Sequence, residues 1–95
     1  MPTLFRLFGY RFFYRMYDLI NEPCHVHATD DANLLCKYWI REDDSFVLAD
    51  TTKLKTAERK KIEKALTEHM SQIKETYEHH CQANGINHNY YRQTD

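Results

Sequence analysis

Asn21-Glu22-Pro23-Cys24-His25-Val26-His27-Ala28 is the stretch on which the fold turns. Pro23 has no N–H for a ladder and pushes Glu22 toward extended backbone, which suits the entry to a strand. The chain then reads as a β-strand from about Cys24 to Thr29. Side chains alternate along a strand, so His25 and His27 share one face and Val26 takes the other. With Val26 in the core, both imidazoles face solvent together. No other stretch concentrates as much chemistry.

The neighbouring segments extend this strand into a sheet. Asp30-Asp31-Ala32-Asn33 supplies turn residues, and Leu34 to Ile40 makes the next strand, giving a hairpin. Arg41 to Asp44 is a polar turn, followed by a short strand from Ser45 to Ala49. Upstream, Tyr10 to Tyr17 is dominated by strand-favouring aromatics. Leu4 to Phe8 is a brief edge strand or an irregular arm, and Gly9 permits a break or bulge.

Downstream the period changes. Ile62, Leu66, Met70, Ile73, Tyr77 and Cys81 recur at helical spacing, an amphipathic stripe. Thr56 is the predicted N-cap and Glu58 an acid in the first turn. The helix should run to about Gln82, because Asn84-Gly85 is a stop signal. The predicted fold is α+β: a small, mainly antiparallel three- or four-stranded sheet with one long C-terminal helix packed on one face. Residues 1–83 would form a single domain and 84–95 a flexible tail.

Composition agrees with one small globular domain. The 95 residues are 42% hydrophobic and 28% charged, with seven Tyr, five Phe and one Trp to fill a modest core. A net charge of −1 gives no general argument for a polyanion partner. It conceals a bias: Arg6, Arg11 and Arg15 early, and Lys53 to Lys64 around the helix start. The lysines there read as a solvated face. Three cysteines at wide spacing suggest free thiols in a reducing, cytoplasmic setting. Phe5 to Tyr17 is broken by arginines and too short to span a bilayer, so no membrane partner is expected.

One helix covers one face of a sheet. Tyr10, Phe12, Tyr14, Cys24 and Val26 belong beneath it. The other face receives Arg11, Phe13, Arg15 and Tyr17, then His25 and His27, then Leu35, Lys37 and Trp39. Cations beside flat rings are what single-stranded RNA asks of a protein. His25 and His27 are the catalytic candidates, an acid/base pair for RNA cleavage. Arg11, Arg15 and Lys37 would contact phosphate, and Phe13 and Trp39 would stack on bases. The same face serves equally as the interface of a homodimer or of a small protein partner.

A metal reading starts from the His-x-His pair, with Glu22 and Asp18 on the adjoining loop as further donors. No metal or other cofactor is called for by spacing alone. Cys24 beside the histidines could be an activated thiolate, but its inward direction favours a small core residue.

These residues together resemble a known family. The carrying features are Met1-Pro2-Thr3, Gly9-Tyr10-Arg11-Phe12-Phe13-Tyr14, Asn21 to His27, Lys37-Tyr38-Trp39-Ile40 and the long helix, in that order. They resemble a small bacterial family known as domain of unknown function 4160, over about Met1 to Gln82. In that family the central segment usually reads Pro-Pro-His-x-His. Here Cys24 stands at the second proline, which makes it a poor carrier of any shared activity. The resemblance brings no activity with it. It implies a gene lying beside another small gene, hence one member of a toxin–antitoxin-like or regulatory pair.

Overall fold

The computed structural model describes residues 3–14, 22–30, 32, 34–51 and 54–92. Among these residues five strands precede two helices: β1 Thr3–Leu7, β2 Tyr10–Phe13, β3 His25–Thr29, β4 Leu34–Ile40, β5 Phe46–Thr51, α1 Thr56–Glu68 and α2 Met70–Ala83. The strands form one antiparallel meander in the order β1-β2-β3-β4-β5.

The class is α+β, as predicted, with five strands and two helices among the described residues where the sequence predicts three or four strands and one long helix. β1 falls where the sequence gives a brief edge strand or an irregular arm. Phe8 (φ 56°) and Gly9 (φ 83°) both adopt left-handed backbone and close a two-residue hairpin between Leu7 and Tyr10. Such a turn matches the natural twist of paired strands, so the residues around Gly9 pair rather than bulge outward. β2 in turn is shorter than Tyr10 to Tyr17: it ends at Phe13, and residues 15–17 lie outside the described residues.

The predicted stripe is the observed helical core. Ile62, Leu66, Met70, Ile73, Tyr77 and Cys81 are all buried, and they pack with Tyr10, Phe12, Cys24, Val26, Cys36, Tyr38 and Ile40 from the sheet. Phe5 stacks on Phe12 from the edge, with ring centroids 4.6 Å apart. The helix is not continuous, however. His69 (φ −113°, ψ 17°) ends α1 and caps α2. The stripe carries no proline or glycine to announce this break. The junction instead coincides with contacts to β1: the His69 ring stacks on Phe5 at 4.3 Å, and Gln72 Nε2 donates to Leu4 O at 2.9 Å. At the other end the N-cap is Lys55 rather than Thr56; its N–H donates to Glu58 Oε1 at 3.0 Å, closing the first turn.

A polar tie joins the two layers. Tyr38 Oη donates to Glu63 Oε2 at 2.8 Å, and Arg59 Nε donates to the same oxygen at 2.7 Å. Burial and the Glu63 carboxylate both push the Tyr38 phenol far above its ordinary range, so it stays a donor.

Beyond α2 the chain returns to the sheet. Cys24 N–H donates to Asn89 O at 2.7 Å, and Tyr91 N–H donates to Ile40 O at 2.9 Å. Tyr90 joins the helix-side core, edge-to-face with Tyr77, while Tyr91 stacks on Trp39 on the opposite face. Residues 89–91 therefore bind the ends of β3 and β4 from both sides, where sequence alone gives a loose tail. No helix among the described residues is long and apolar enough to cross a membrane.

Candidate functional site

β3 sets the site. Phe13, His27 and Lys37 stand opposite one another across β2, β3 and β4, and His25, Trp39 and Val47 form the next row. Directly opposed residues of an antiparallel sheet share a face. Since Val26, Ala28, Cys36 and Tyr38 lie in the core under the helices, these rows occupy the other face. Arg11 stands opposite Thr29, and Arg6 opposite Arg11, on the same side. The register predicted for the two histidines is therefore the observed one.

Their exposure is not. His25 is 2% and His27 4% exposed, and Phe13 is 2%. The imidazoles lie edge to face with centroids 5.1 Å apart. Phe13 stacks on His27 at 5.2 Å, and the Trp39 ring meets His25 edge-on at 5.6 Å. Phe13 and Trp39, on the strands either side of β3, pack on the two imidazoles and help to bury this part of the face. The expectation that both imidazoles meet solvent is corrected accordingly.

The chemistry at this centre is orderly. His25 Nδ1–H donates to Pro23 O at 2.8 Å; a carbonyl only accepts, so Nδ1 carries a proton. Lys37 forms an ion pair with Glu22, and its ammonium sits 4.1 Å from the Trp39 ring centroid. The Lys37 hydrogen bond holds the Glu22 carboxyl below its ordinary pKa; burial opposes this, and the nearby histidines assist. Trp39 and Tyr91 are stacked nearly parallel, with centroids 5.2 Å apart and planes at 5°. Arg41 lies 5.9 Å from the Tyr91 ring and Arg11 4.8 Å from the Phe13 ring. Lys37, Arg11 and Arg41 are each placed over a ring.

The structure thus brings together Arg11, Phe13, His25, His27, Lys37 and Trp39 from the predicted set. Arg15 and Tyr17 lie outside the described residues. Sequence reasoning missed Arg6 and Tyr91, and it gave Glu22 only as a loop donor for a metal. Glu22 was legible from its place beside Pro23. Tyr91 was not, because nothing near it in sequence points to Trp39.

Among the described residues, no group of three or more His, Cys, Asp or Glu side chains is arranged to hold a metal ion. Cys24, Cys36 and Cys81 are free and buried. Burial raises the Cys24 thiol far above its ordinary range and pushes Cys36 up to about 12. Cys24 is a core residue, as its inward direction predicts, and no activated thiolate.

Comparison with known proteins returns one family. Its model, described as a domain of unknown function (DUF4160), matches residues 9–78, well over half of the chain. The match contains β2 through most of α2 and stops short of residues 89–91. No curated protein and no solved structure matches.

Proposed function

The chain belongs to the DUF4160 family, and from that premise we propose that it is a non-enzymatic interaction module, one member of a toxin–antitoxin-like or regulatory pair. Its contact surface is the sheet face opposite α1 and α2, around Lys37, Trp39 and Val47, and its occupant is a small partner protein. The carrying observation is the self-engagement of this face: Lys37 is paired with Glu22, the rings of Phe13 and Trp39 are stacked, and the imidazoles are buried. A base-stacking platform needs open rings, and general acid–base catalysis needs reachable nitrogens. A packed patch of aromatics with a charged rim suits a protein contact instead.

Co-expression with the product of the adjacent gene, read by light scattering after size exclusion, tests this. A stable complex that is lost on Val47→Asp, in a chain that still unfolds cooperatively, is the predicted result. A chain that forms no complex, or one indifferent to Val47→Asp, would overturn the reading.

A second reading, RNA cleavage, draws on the placement of His25 and His27 side by side on one face, with ring centroids 5.1 Å apart. Under it, replacing His25 and His27 together by Ala abolishes cleavage of a single-stranded RNA. Cleavage that survives the double substitution removes that reading.

A further inference from the structure

A second polar site lies away from the histidines. The turn between β4 and β5, the middle of α2 and the returning C-terminal segment enclose a cleft of about 350 Å³, lined by Glu42, Lys74, Glu78, His88, Tyr90 and Arg92. That volume falls in the range of small-molecule sites, about 300–1,000 Å³.

Its inner part is fixed. Lys74 Nζ donates to Glu42 O and pairs with Asp44 Oδ1, each at 2.6 Å, and its ammonium lies 5.0 Å from the Tyr90 ring. Tyr90 Oη donates to Glu78 Oε2. The outer part is uncommitted. The side chains of Glu42, His88 and Arg92 are exposed and make no hydrogen bond or ion pair among the described residues, and the His88 ring centroid lies 6.3 Å from that of Tyr77 and 6.4 Å from that of Tyr90.

The lining is balanced in charge: Lys74 and Arg92 against Glu42 and Glu78, with one imidazole. A nucleotide polyphosphate would meet two carboxylates, and a metal cation would meet an ammonium and a guanidinium; both are disfavoured. A small molecule that carries one group of each sign satisfies both halves. We propose that this cleft binds a free α-amino acid, its carboxylate taken by Arg92 and His88 and its ammonium by Glu42. Arg92 offers the planar fork suited to a carboxylate.

The site carries its own reporter. Tyr90 lines the cleft, and the next residue stacks on Trp39, the only tryptophan in the chain. Occupation should therefore alter Trp39 emission. The full chain is titrated with each of the proteinogenic amino acids other than tryptophan, read by Trp39 fluorescence and calorimetry.

Saturable binding of at least one of them below about 10 mM is the expected result. The N-acetyl and the carboxamide derivatives of that amino acid should each bind at least about tenfold more weakly, as should the exposed-site variants Glu42→Gln and Arg92→Ala with the parent ligand. No binding up to that concentration overturns the proposal. So does binding that ignores both substitutions, or an N-acetyl derivative that binds as tightly as the amino acid. None of these results bears on the partner protein, so this site and the sheet face stand or fall separately.

Discussion

Phe8 spends its conformational freedom badly. It holds φ 56° in the β1–β2 turn with its ring 42% exposed, where a residue with a Cβ is strained and a bulky ring gains little. Asn tolerates this backbone far better and is favoured at the first position of such turns. Phe8→Asn should stabilise the fold by about 0.5–1 kcal/mol, seen as a higher urea midpoint at unchanged slope. A lower midpoint would mean that the Phe8 ring, which faces Lys64 at 5.7 Å, contributes more than its exposure suggests.

Glu22 contributes a pH dependence to stability. Its carboxyl is held below the ordinary 4.5 by the Lys37 hydrogen bond. A depressed carboxyl contributes stability that is present above the unfolded value and lost as pH falls through the folded one. Stability should therefore decline below pH 4.5, by about 1 kcal/mol or less, since the Glu22 side chain is 33% exposed. Glu22→Gln should remove that part of the decline in acid denaturation curves. An unchanged curve would place the acid sensitivity elsewhere. The thiols offer a companion check: with Cys24, Cys36 and Cys81 all buried, none should react with a disulfide reagent in the native protein, and all three should react in denaturant.

Among the elements, α1 and α2 are held by their buried stripe. Leu66 is 0% exposed, so Leu66→Ala should cost about 2–5 kcal/mol, measurable by chemical denaturation. A loss under about 1 kcal/mol would show that the helices pack less closely on the sheet than their burial indicates. The elements also show what sequence makes legible. The stripe from Ile62 to Cys81 and the hairpin from Cys24 to Ile40 were readable because their periods are local. The break at His69 was not, because it accompanies contacts with Phe5 and Leu4, distant in sequence. β1 was half-readable: Gly9 marks a turn, but pairing depended on a left-handed Phe8, which propensity argues against.

At the scale of the whole molecule, a sheet with helices on one side normally leaves the other side open. Here His25 and His27 are buried on that side, with Phe13 and Trp39 packed on them and Tyr91 stacked on Trp39. Tyr90 anchors in the helix-side core and Tyr91 reaches the opposite face, so one dipeptide spans both layers. Alternation in β3 correctly assigned His25 and His27 to a face. It could not assign their exposure, which involves Phe13 and Trp39 packing on them from the neighbouring strands. That difference redirects the functional reading from open imidazoles to a packed contact surface.

Deuterium exchange at the imidazole C2 position, followed residue by residue by mass spectrometry, tests this burial most directly. His79 and His88, both exposed, serve as internal references. His25 and His27 should exchange at least about tenfold more slowly than these two. Exchange of His25 and His27 at the rate of His79 and His88 would contradict the account and return both imidazoles to solvent.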